Sequence, residues 1–171
     1  GSLNMNYYPH PLVSISNTLS VEFYKYFSGS GDSNIMNWSD DIGARYTPTD
    51  VLELNGTFNH RISRNNLTRE ERPVDKFGLK ASYRVWTWGY LEYNWSQEQN
   101  KGEILSGSYA IQDFIRTNHA LSLNLMIPQD NVILQNIELG AAFKMMNFRN
   151  ALNSSEDFDA STLSLEGTLN F

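Results

Sequence analysis

The chain has 171 residues, no cysteine, a formal net charge of −6 and a mean hydropathy of −0.45. That length suits one domain, and the missing cysteine excludes a disulfide framework, Cys-ligated zinc, an iron–sulfur cluster and thiol catalysis. A pI near 5.0 speaks against a protein that grips nucleic-acid phosphates, and no apolar run approaches the roughly 18 residues of a membrane helix.

Taken in chain order, the residues alternate between apolar and polar with the period of strands. In 12–27, Val13, Ile15, Leu19, Val21 and Phe23 oppose Ser14, Ser16, Thr18, Ser20 and Glu22. In 37–47, Trp38, Ile42, Ala44 and Tyr46 oppose Asp41, Gly43 and Arg45; in 51–63, Leu52, Leu54, Phe58 and Ile62 oppose Glu53, Asn55, Thr57, Asn59 and Arg61. The pattern continues through 75–86, 88–99, 117–127, 131–148 and 160–171. Eight amphipathic strands cover well over half the chain, far above the roughly 20–25% of an ordinary globular protein. The expected fold is therefore all-β, an up-and-down antiparallel transmembrane barrel of eight strands over 12–171. Its links alternate between long (28–36, 64–74, 100–116, 149–159) and short (around Pro48, Trp86–Trp88 and Pro128), as two unequal rims would require.

A soluble barrel also alternates, so the polar parity has to decide. It carries mostly Ser, Thr, Asn and Gly, drawn from 19 Asn and 18 Ser in all. Small polar groups fit the narrow lumen of an eight-stranded barrel. The charges expected there nearly balance. Glu22, Asp41, Glu53, Glu92, Glu98, Glu138 and Glu166 face Arg45, Arg61, Lys76, Lys80, Arg84 and Lys144, as a confined interior demands. On the apolar parity, Trp38, Tyr46, Phe58, Tyr83, Trp95, Phe143 and Phe171 fall near strand ends, where amphipathic rings suit the two interfaces of a bilayer.

The chain ends on Leu163, Leu165, Gly167, Leu169 and Phe171. This alternating strand with a terminal aromatic resembles the C-terminal assembly signal of Gram-negative outer-membrane proteins. Leu169 and Phe171 take its hydrophobic positions, and Glu166 stands where the signal has glycine. With eight strands and unequal rims, the chain resembles the OmpA/OmpX class of small outer-membrane barrels. The resemblance implies a barrel inserted by the assembly machinery through its last strand, lying in a bilayer with lipopolysaccharide, with periplasmic termini and long loops outside.

Residues 1–11 stand apart. Gly1-Ser2 looks like a cloning scar, and 3–8 alternates like a further strand leading into a Pro turn. Either it is a strand-like tail on a complete eight-stranded barrel, the preferred reading, or the chain is the C-terminal part of a larger barrel, similar in style to polysaccharide-export or porin–cytochrome barrels.

Little points to chemistry. His10, His60 and His119 show no metal-ligand spacing, and no serine is tied to His60 or His119 by sequence, so neither cofactor, metal nor enzymatic activity is expected. A lipid-modifying barrel would require one of these histidines beside a serine and a carboxylate. Loops 64–74 and 100–116 are candidate sites for an extracellular ligand, although the apolar residues of 100–116 also fit strands prolonged beyond the membrane. Glu156, Asp157 and Asp159 form an acidic loop, solvated or bridged to lipopolysaccharide by a divalent cation. The leading expectation is a structural or surface-interaction barrel with a lumen filled by side chains; the alternative is a porin for small solutes.

Overall fold

Alternation over ten or more residues favours extended backbone. The computed structural model, which describes residues 1–28, 31–104, 109–128 and 136–170, is almost wholly strand. Nine strands are present: β1 (Ser2–His10), β2 (Val13–Ser28), β3 (Gly31–Thr49), β4 (Leu52–Asn65), β5 (Glu70–Trp86), β6 (Gly89–Ile104), β7 (Tyr109–Pro128), β8 (Asn136–Asn150) and β9 (Phe158–Asn170). They form one antiparallel sheet in sequence order. A 3-10 turn at Ser154–Glu156 lies between β8 and β9.

The N-terminal segment is a full member of this sheet. Leu3, Met5 and Tyr7 pair with Leu19, Asn17 and Ile15, and the amino group of Gly1 donates to the Val21 carbonyl at 2.7 Å. Among the described residues the sheet thus has nine strands rather than eight, and β1 does not pair with β9. Closure into an eight-stranded barrel is not part of the observed architecture.

The strands also outrun the alternating stretches. Residues 100–116, a long link whose apolar residues also fit prolonged strands, are mostly paired, in keeping with the prolonged strands: Asn100, Lys101 and Gly102 face Phe114, Asp113 and Gln112, with an irregularity between Gly102 and Glu103. Likewise 64–74 shrinks to a turn at 66–69. The reason is physical. Backbone pairing persists where both faces of a strand meet water, but sequence alternation marks a strand only where one face is apolar. The contrast between long and short links shrinks accordingly. The first residues of the expected strand 131–148 and the terminal Phe171 lie outside the described residues.

Local chemistry sets the tight turns. The Asn65 side-chain oxygen accepts from the Leu67 amide at 2.9 Å, and Arg69 closes that turn with φ 53°. At the opposite rim Trp86 and Trp88 stack at 5.0 Å. Gly89 is needed beside them, because a Cβ there would sit 2.9 Å from the Trp86 ring.

Among the described residues no apolar side chain is buried. The apolar parity faces outward along the whole sheet, with Phe77 at 42%, Leu121 at 47% and Leu165 at 75% exposure. This outer band is oblique to the hydrogen-bond rows. On β8 it runs from Ile137 to Met145, centred on Ala141, which is level with Leu123, Leu91, Tyr83 and Leu52. Followed through β3, that row meets the chain just before Val13, whereas the band on β2 is centred near residue 18. The offset of about seven residues at roughly 3.4 Å, over six inter-strand steps of roughly 4.8 Å, corresponds to strands inclined by about 40° to the band. Transmembrane barrels tilt their strands by roughly 35–45°.

Arg69 occupies the left-handed region where a Cβ is penalised. Arg69→Gly is expected to stabilise the folded protein by about 0.5–1 kcal/mol, seen as a higher midpoint in urea unfolding from lipid vesicles.

Candidate functional site

The polar parity lines a trough of about 740 Å³ bounded by residues of β4 through β9, among them Asn55, Thr57, Lys80, Ser96, Lys144 and Thr162. One cavity shared by six consecutive strands requires the sheet to be concave on this face. Its waist is a row of mostly small residues in register: Ser16, Gly43, Thr57, Gly78, Ser96, Asn118, Met146 and Ala160.

Charged rows flank the waist. On one side the register brings Asp41, Asn59, Lys76, Glu98 and Arg116 level. Asn59 donates to Asp41, and Ser39 does so at 3.5 Å. Glu98 accepts from Arg116 at 2.7 Å and lies 3.4 Å from Lys76. On the other side Arg45 pairs with Glu53 at 2.5 Å, Lys80 with Glu92 at 2.8 Å, and Arg84 with Asp50 at 3.2 Å. Asn55 also donates to Glu53 at 2.7 Å and Ser82 to Glu92 at 3.2 Å. Glu22 accepts from the Tyr24 hydroxyl at 2.8 Å.

Not every expected lumen charge joins this network. Lys144 lies level with Ala120 and Thr162, Glu166 with Gly140, and Arg61 with Ser39 and Val74, and none of the three has an ion-pair partner among the described residues. Glu138 shares the same face, opposite Met126 and Thr168. Arg116 and Asp50 are network members that sequence reasoning missed. Carrying the parity of Ser122 and Asn118 two residues further back would have reached Arg116. Each of these charge pairs joins adjacent strands, except Arg84–Asp50, which joins β5 to the β3–β4 turn. Among the described residues, Cα atoms of non-neighbouring strands stay more than 8 Å apart.

The outer face carries the aromatics expected at interfaces. Tyr46, Tyr83 and Phe143 are exposed at 44%, 47% and 43%; Trp95 is half-buried. Trp38 packs edge-on against His60 at 5.2 Å. Leu169 projects outward with 55% exposure, and its expected companion in the assembly signal, Phe171, is outside the described residues. Polar groups interrupt the apolar parity, and several are paired: Asn17 donates to Asp40 at 2.7 Å, and His60 Nδ1 lies 2.5 Å from Asp75. His119 bonds the Tyr93 hydroxyl at 2.9 Å. The side-chain hydrogen bonds of both histidines thus run to groups other than serine.

At the β8–β9 connection the acidic residues are engaged locally. Asp157 accepts from the Asn150 amide at 2.7 Å, Glu156 from the Asn150 and Asn153 side chains at 2.8 and 2.9 Å. Asp159 accepts from Asn147 at 2.7 Å and lies 2.8 Å from Arg149. The Asn147 hydrogen bond, then Arg149, hold its carboxyl below the ordinary 3.8. Among the described residues no cluster of three or more His, Asp or Glu side chains is arranged to hold a metal ion.

No protein-family model matches the chain, and no curated protein matches it. Solved structures do. A loop-deletion mutant of OmpT, an outer membrane protein of Vibrio cholerae, matches with a TM-score of 0.66 at 10% identity over 97% of this chain and 51% of its own. In-vitro folded OmpT matches with 0.63 at 11% identity over 95% and 50%. The siderophore receptor PirA of Pseudomonas aeruginosa matches with 0.65 at 16% identity over 98% and 31%. The fold is thus that of outer-membrane β-barrels, and the chain spans about half the length of the OmpT chains.

Glu98 is the hinge of the network, one carboxylate serving two cations. Glu98→Ala is expected to cost about 1–2 kcal/mol by leaving both unbalanced, whereas Lys144→Ala stays within about 0.5 kcal/mol. Urea unfolding in lipid vesicles measures both.

Proposed function

We propose that this sheet is a section of the wall of a bacterial outer-membrane barrel with more than eight strands, its apolar face in lipid and its trough lining a water-filled path for small polar solutes. The observation that carries this is that the sheet already holds nine strands and that its ion pairs run along the wall rather than across it. A lumen plugged by its own side chains needs contacts from one wall to the opposite one. Eight strands would bring those walls together; a larger barrel leaves the interior wet.

The edges of β1 and β9 carry backbone groups that lipid cannot satisfy. Further strands complete the barrel between them, in keeping with a match to half of a longer outer-membrane chain. The first-rim turns at 11–12, 50–51 and 87–88 lie on the periplasmic side, with 66–69 and 151–157 outside, facing lipopolysaccharide. β9, with Leu169 outward, is the strand offered to the assembly machinery. The reading assigns no catalytic residue and no cofactor.

Reconstituted in planar bilayers, the full chain is expected to give stable conductance steps of the nanosiemens class. A folded, heat-modifiable protein that never conducts would overturn the solute path. Side-specific substitutions test the orientation of the wall separately. Leu121→Arg, on the outer face, is expected to cost about 2–4 kcal/mol in lipid vesicles, and Ser96→Arg, at the waist of the trough, close to nothing. Equal costs would refute the lipid assignment.

A further inference from the structure

One feature of the trough face breaks its own pattern. Among its small polar and charged residues, β7, β8 and β9 place Phe114, Phe148 and Phe158 side by side. The ring centroids are 5.2 Å apart between Phe114 and Phe148, and 5.4 Å between Phe148 and Phe158. These are inward residues: Phe114 shares parity with Asn118, Phe148 with Met146, and Phe158 with Ala160, all three of which line the trough. Phe158, at the end of the ladder, is 44% exposed. Below it, Ala160 and Met146 prolong an apolar strip toward the waist.

Polar groups with unused capacity border the strip. Arg116 is level with Phe148. It spends one terminal nitrogen on Glu98, its Nε has no partner, and its side chain is 43% exposed. Both cations of Glu98 approach the same carboxylate oxygen, Oε2, leaving Oε1 as an acceptor. Asn118 donates to Ser96 at 3.3 Å and retains its own carbonyl oxygen.

A narrow apolar ridge flanked by planar hydrogen-bonding groups, on a surface otherwise wet, matches one ligand chemistry. A pyranose ring has an apolar C–H face and a rim of hydroxyls that both donate and accept. The strip is one ring wide, too narrow for an acyl chain bundle. Glu98 between its two cations, together with Lys144 four residues along β8 from Phe148, leaves two positive charges, too few to select a polyanion. We propose that Phe114, Phe148 and Phe158 form a docking track for a neutral oligosaccharide at the mouth of the trough, with Arg116, Glu98 and Asn118 taking its hydroxyls. This deepens the proposed function, since it rests on the trough face being the wetted interior.

The test is equilibrium binding of fluorescently labelled maltohexaose, cellohexaose and xylohexaose to the full chain folded in detergent. At least one is expected to bind. Phe158→Leu, which keeps apolar bulk and removes the ring, is expected to weaken that binding about fivefold, and Phe158→Tyr by less than twofold. Heat-modifiable migration on SDS gels confirms that each variant is folded, and Phe148→Leu serves as a second variant. Binding to none of the three, or binding that both leucine variants leave unchanged, overturns the track. Conductance separates the two readings. A protein that conducts and binds no hexasaccharide loses only the track. One that binds through Phe158 yet never conducts keeps the track and loses the solute path.

Discussion

A sheet of nine strands in which no described apolar side chain is buried is governed by a single constraint. Between its two edges its backbone groups are satisfied by the strand ladders, but nothing among the described residues covers its apolar surface. In water such a surface would cost roughly 25 cal/mol for each Å² left exposed, so the medium has to supply what a second layer of structure supplies in a soluble protein. A bilayer does, and it imposes the rest: hydrogen bonds complete within the sheet, an oblique apolar band, and polar side chains confined to the other face. The paired Asn17–Asp40 and His60–Asp75 groups obey the same rule, because a polar group facing lipid needs a partner of its own.

The trough follows from the same division. Alternation sends small polar residues to the inner face, and Ser16, Gly43, Thr57, Gly78 and Ser96 fall level with one another because the register runs without interruption through this region. Charges then settle along the rows on either side of that waist, pairing between adjacent strands. Such pairs tie each strand to the next along the wall.

The strand pattern was legible because alternation is a local property: each residue's parity is set by the pleat alone. Where alternation lapses, the sequence is ambiguous. The paired ends of β6 and β7 near Lys101 and Asp113 fit a loop or prolonged strands alike, because no clean two-residue period runs through them. Arg116 was lost with them, and so was the inward position of Phe114. The three phenylalanines lie on three strands and become a ladder only through cross-strand register. Lys144 and Glu166, assigned to the network by parity, stand beside Ala120 and Gly140 instead of a counter-charge, because parity chooses a face and not a neighbour.

By itself the sequence determined which residues are extended, which side chains share a face and that the faces differ in polarity, because all three depend on a two-residue period and side-chain chemistry. The tertiary structure decided the number of strands in the sheet, the membership of residues 2–10, the partners of each charge, the tilt of the apolar band and the absence of closure between β1 and β9. Those depend on register and curvature, which are fixed by pairing between segments far apart in the chain and leave no periodic mark within any one of them.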